Sequence, residues 1–169
     1  MKTLLSALLL LLGVSFAQAQ TAPPQVPDPQ LTPGVIRTDL TPDQIKNTKW
    51  GTDQRLVTEA MKQQVLSAYH MAGSDCPSGK LEIDHRVPRS LGGADDVMNL
   101  WPQCYEKEPP APKNSAEWGA HKKDHLEDYE TKMFRAGKVT LDAARAVFLA
   151  PDWRTAYVQA FGQPGANAR

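Results

Sequence analysis

The stretch Leu81–Gln103, LEIDHRVPRSLGGADDVMNLWPQ, constrains the fold of this 169-residue chain more than any other. Leu81 and Ile83 alternate with Glu82 and Asp84, the period-two pattern of a half-buried strand. Pro88 and the Gly92-Gly93 pair then mark a turn-rich loop. Asn99-Leu100-Trp101-Pro102 reads as a second short strand. The chain has two cysteines, Cys76 and Cys104, and they bracket this stretch. In an oxidising compartment the default reading is a disulfide. It would close a loop of about thirty residues, worth roughly 3–4 kcal/mol of chain entropy. The alternative is a pair of zinc ligands, a weak pattern without a CxxC partner.

The N-terminus predicts that compartment. Lys2 is a positive n-region, Leu4–Val14 an apolar h-region and Ala17-Gln18-Ala19 a small-x-small cleavage site. Residues 1–19 are therefore read as a signal peptide, with a periplasmic or secreted destination. The apolar run is shorter than the roughly 20 residues a membrane span needs, so the mature chain is expected to carry no span. Residues 20–38 are a Pro-rich linker, residues 39–162 one domain and residues 163–169 a flexible tail. Basic and acidic residues balance at 19 each, which counts mildly against a tight duplex-DNA binder but not against an enzyme that touches a few phosphates. A monomer is expected.

Helical patterns surround the hairpin. Thr41-Pro42-Asp43 begins a brief helix with Pro at its first position, and Trp50 is read as packing on the domain. Val57–Met71 follows, with Thr58 as cap and Met61, Val65, Leu66 and Tyr69 on one face. Asn114-Ser115-Ala116-Glu117 fits a capping box for a helix that runs to about Arg135 and stops at Gly137. Thr140 caps Leu141–Leu149, and Pro151-Asp152 starts Trp153–Phe161. The expected class is α+β: a short antiparallel hairpin packed by several helices.

The polar residues suggest phosphodiester chemistry, which needs an activated water and charge stabilisation at phosphorus. Asp84-His85 places a carboxylate and an imidazole on opposite faces of a strand end. His121, Asp124 and His125 share one face of the later helix. Arg86, Lys122 and Lys123 are candidate phosphate contacts.

These residues resemble the HNH endonucleases, whose site is a ββα-metal finger. The matching segments are Ile83-Asp84-His85-Arg86-Val87-Pro88, Leu91-Gly92-Gly93, Asn99-Leu100-Trp101-Pro102-Gln103 and Ala120–Glu127. They look closest to small secreted bacterial HNH-like proteins. The resemblance implies His85 as general base, Asn99 as the brace of the loop, and Asp84 and His121 as ligands of a divalent ion (Mg²⁺, Mn²⁺ or Zn²⁺). It implies cleavage of DNA or RNA with little sequence preference. Two departures stand out: the CxxC pairs of zinc-stapled relatives are absent, and His125 replaces an expected basic residue, as a bystander or a second helical ligand. The rival reading is a catalytically inactive HNH-like scaffold that binds nucleic acid or an envelope partner.

Overall fold

The computed structural model describes residues 23–49, 54–107 and 116–165. The signal segment, Trp50 and the Asn114 cap lie outside the described residues. The described chain is α+β. It contains helices α1 (Pro42–Asn47), α2 (Glu59–Ala68), α3 (Ala120–Arg135), α4 (Leu141–Leu149) and α5 (Trp153–Phe161), and strands β1 (Leu81–His85) and β2 (Leu100–Cys104). The strands pair antiparallel, from Leu81 opposite Cys104 to His85 opposite Leu100. Among the described residues no helix is long and apolar enough to cross a membrane.

Local chemistry accounts for most helix starts. The side chains of Thr41, Thr58, Thr140 and Asp152 each accept a backbone N–H from the first turn of the helix that follows. Helix α3 differs. It begins at Ala120, so Trp118 precedes it, and Gly119 at its N-cap offers no side chain. The Glu106 carboxylate takes over, accepting from the backbone N–H of His121 and of Lys122, each at 3.3 Å. A carboxylate there also suits the positive end of the helix dipole.

The hairpin lies between two apolar clusters. Ile83 and Leu100 pack with Val65 of α2. Leu126 and Phe134 of α3 join Phe148, Trp153, Tyr157, Leu91 and Ile45 in the larger core. Trp118 packs edge-on against Trp153 and Tyr157. Cys76 and Cys104 form a disulfide with Cα atoms 5.4 Å apart, which removes both from consideration as zinc ligands. It ties the segment before β1 to the end of β2.

The Pro-rich segment expected to be a linker packs on the domain from residue 23 onward. Ile36 forms an antiparallel bridge with Gly93, and Gly34 N–H donates to the Met98 carbonyl at 3.0 Å. Thr32 is fully buried, and its hydroxyl donates to Leu100 O at 2.8 Å. Composition favours an extended chain here, and an extended chain is what can pair with the loop after β1.

That loop depends on its two glycines. Gly92 has φ +81, and a Cβ on it would meet Arg145 Nη2 at 2.6 Å. A Cβ on Gly93 would sit 1.8 Å from the Val87 carbonyl oxygen, a backbone atom that cannot swing aside. Gly93→Ala is therefore expected to cost at least about 3 kcal/mol, at the upper end of overpacking penalties. Gly79→Ala, where nothing lies within 4 Å but φ is +68, should cost only about 1–2 kcal/mol of backbone strain. Urea unfolding of the two variants measures the difference.

Candidate active site

The pleat of β1 divides its side chains between two environments. Ile83 faces α2, while Glu82 and Asp84 face α3. His85 ends the strand, nearly buried, where the chain enters the loop.

Asn99 holds that loop. It is fully buried. Its Oδ1 accepts from Val87 N at 2.9 Å, and its Nδ2 donates to Val87 O at 3.1 Å and Ala94 O at 3.0 Å. Its own carbonyl accepts from Arg86 N at 2.6 Å. One amide side chain thus satisfies both sides of the loop just after His85, the task an Asn with two donors and an acceptor can perform.

The imidazole of His85 is oriented by Asp95, with Nε2 and Oδ1 2.7 Å apart. Burial of Asp95 works to raise its carboxyl, but the Leu56 N–H, His85 and Arg89 outweigh this and hold it below the usual range. An ionised Asp95 accepts from Nε2–H, so Nδ1 carries the lone pair. Burial lowers the His85 pKa below its usual 6.5, against the opposing pull of Asp95 and Asp84. The arrangement is a neutral imidazole, fixed in tautomer by a carboxylate, with one nitrogen available to take a proton. Asp95 was not singled out from the sequence. It is one of two adjacent aspartates, and Asp96 has the locally legible role, capping the turn before β2 by accepting from Met98 N.

The expected metal ligands are placed apart in partnership. Asp84 uses Oδ1 for the His85 backbone N–H at 2.7 Å and Oδ2 for Lys123 Nζ at 2.6 Å. His121 Nδ1 lies 2.8 Å from the Glu106 carboxylate, and its ring packs against Tyr105. A carboxylate behind a histidine is how metal-bound imidazoles are commonly oriented, and the oxygen-rich surroundings suit a hard cation. Glu82 Oε1, for instance, is a buried acceptor with no partner. The arrangement, however, does not close into a site. Among the described residues no group of three or more His, Cys, Asp or Glu side chains is gathered to hold a metal, and an ammonium already occupies Asp84. The donors fit the chemistry and their placement does not. His125 stacks on Phe161 at 4.1 Å in an aromatic cluster with Tyr157.

The three basic residues expected at phosphate are drawn inward. Arg86 is 5 % exposed. Its guanidinium donates to the carbonyls of Thr32, Phe148, Leu149 and Ala150, capping the end of α4 and holding the N-terminal segment to it. Lys122 is buried and ion-paired with Glu106 at 3.6 Å. Lys123 is 1 % exposed. It donates to Asp84, to His85 O at 2.7 Å and to Glu127.

Lys123 sits among more carboxylates than it can neutralise. Burial pulls its pKa down, but Asp84 and Glu127 push it above the usual value. Burial, helped by the charge of Asp84, raises Glu82 to about 7 and Asp124 to about 6. Tyr105 donates to Glu82 at 2.5 Å. Beside this face Ser90, Asp124, Glu127, Asp128, Thr131 and Arg135 line a cleft of about 330 Å³.

No protein-family model, curated protein or solved structure matches this chain.

Lys123→Met leaves buried carboxylates without their counter-charge, and is expected to destabilise the protein by roughly 3–5 kcal/mol. Burial raises the Glu127 carboxyl, against the pull of Lys123. Without the lysine it rises further, so protons bind the folded variant more tightly than the unfolded one. The deficit should then shrink as pH is lowered from about 10 toward the parent's own Glu127 pKa of about 8, below which both folded forms hold the proton. Chemical denaturation across that range measures it.

Proposed function

We propose that this chain is a secreted or periplasmic endonuclease of the HNH type, hydrolysing phosphodiester bonds of DNA or RNA with His85 as the general base. The observation that carries the reading is the Nε2–Asp95 hydrogen bond at 2.7 Å, which fixes a neutral imidazole with Nδ1 available. The base-plus-orienting-carboxylate arrangement is the common means of activating an oxygen nucleophile. Water at Nδ1 would give up its proton as it attacks phosphorus. Asn99 sets the shape of the loop and takes no proton. The disulfide is compatible with an oxidising compartment.

A divalent ion belongs to this reading as a requirement for the assay to establish. Asp84 and His121 would hold it only after Lys123 gives up Asp84 Oδ2. In the rival reading, a binding scaffold, the His85–Asp95 pair has no task beyond holding the loop.

Purified mature protein is expected to nick plasmid DNA or cut single-stranded oligonucleotides when Mg²⁺, Mn²⁺ or Zn²⁺ is supplied, and to stop with EDTA. His85→Ala should lower the rate by roughly 100- to 10,000-fold. His85→Gln, which keeps a donor toward Asp95, guards against misreading a folding defect. A His85→Gln protein as active as the parent would end this reading.

The working form of the base is the neutral one. Burial lowers the His85 pKa below 6.5, so the acidic limb of the rate profile should fall below pH 6.5 rather than above it. Initial rates between pH 5 and 8 decide this. In Asp95→Asn the ionised acceptor is lost, and the profile should change shape along with a fall in rate.

A further inference from the structure

Three of the chain's basic side chains near the hairpin are consumed inside the protein, which leaves the anion partner of His85 to come from elsewhere. The segment before α2 supplies one. Arg55 Nη2 donates to Ile83 O at 2.7 Å, two residues before His85 on β1. The next residue, Leu56, donates its backbone N–H to Asp95 Oδ2 at 2.6 Å. Residues 55 and 56 are thereby clamped to the strand that carries the base and to the carboxylate that orients it. Both are exposed, Leu56 at 62 %.

Arg55 spends one guanidinium nitrogen on Ile83, and no ion pair with a carboxylate engages it among the described residues. Its neighbour Arg89, by contrast, is paired with Asp95 at 3.3 Å. The charge of Arg55 is felt at His85, where it favours the neutral imidazole. A guanidinium fork anchored at one corner presents its other N–H groups in a fixed plane, the geometry that suits two phosphate oxygens.

We propose that Arg55 is the anion contact of the site, binding the phosphodiester that the His85-activated water attacks. The inference rests on the nuclease reading above and names the residue that positions its substrate. Arg55 acts on the non-bridging phosphate oxygens. It holds phosphorus on the His85 side of β1.

The test uses the full mature chain with its disulfide. Fluorescence anisotropy of a single-stranded and a duplex oligonucleotide is measured on His85→Gln, so that binding is read without cleavage. It is repeated with Arg55→Gln, Arg55→Lys and, as an exposed control outside the site, Lys62→Gln. Cleavage rates are measured with His85 intact. Arg55→Gln is expected to weaken binding about tenfold or more, the loss of charged hydrogen bonds. The slope of log affinity against log salt should fall by about one. KM should rise more than kcat falls, Arg55→Lys should recover part of the loss, and Lys62→Gln should match the parent.

If the protein binds and cuts while Arg55→Gln binds with unchanged affinity and salt slope, the Arg55 assignment is overturned and the nuclease reading stands. If the Arg55-dependent binding is present but no variant or metal gives cleavage, the anion site stands and the nuclease reading falls. If the parent neither binds nor cuts, both fall. Thermal melts of each variant exclude unfolding as the cause.

Discussion

The buried ammonium of Lys123 is the contact on which the relation of hairpin to helix depends. It joins Asp84 and the His85 carbonyl of β1 to Glu127 of α3. Taking an ammonium and its carboxylates out of water costs several kcal/mol per ion, so the whole cluster adds little net stability over an apolar set of the same shape, although removing one member alone is costly. What it adds is direction. Three acceptors satisfy it only when β1 and α3 meet in one register, and a shift of either element would strand a charge. The same ammonium is outnumbered by Glu82, Asp84, Asp124 and Glu127, and burial, helped by that surplus, pushes Glu82 and Asp124 toward neutrality. A phosphodiester is an anion and gains nothing from that face. The opposite side of the strand end carries the neutral His85 and two cations, Arg55 and Arg89, the latter paired with Asp95. The pleat of a five-residue strand therefore separates an acid-rich face from a base-bearing one.

What was legible in the sequence was what is local. The caps at Thr41, Thr58, Thr140 and Asp152 rest on residues a few positions apart, and the hairpin and its bracketing disulfide close within 28 positions. What was not legible depends on distant partners. Arg86, Lys122 and Lys123 read as surface cations because isolated Lys and Arg usually are. Their burial is decided by carbonyls and carboxylates up to 64 positions away, such as Ala150 for Arg86. The start of α3 failed for the same reason. The capping-box pattern at Asn114–Glu117 is a local signal, but the helix begins at Ala120, and Glu106 reaches its first turn from 15 residues back. Asp95 carried no signal that distinguished it from Asp96.

The loop that presents His85 is over-determined. Asn99 satisfies its backbone from inside, Gly93 lets the Val87 carbonyl approach, Arg86 anchors its first residue to the end of α4, and the extended segment around Ile36 pairs along its far side. These contacts come from four separate parts of the chain, so no single element can drift without breaking bonds in another. An imidazole held this way spends little entropy when substrate arrives, because its orientation was fixed on folding.

The cation side is built differently, and this bears on any role for a metal. A divalent ion seated on Asp84 Oδ2 would compete with the Lys123 ammonium, which is 1 % exposed. The ion's intrinsic affinity would be reduced by the free energy of that rearrangement, since only the displaced state is competent to bind. His121 needs no comparable change, because Glu106 already fixes its ring through Nδ1. Metal affinity and fold stability would then be linked through one side chain. Whatever strengthens the grip of Lys123 on Asp84 stabilises the hairpin–helix register and opposes the ion.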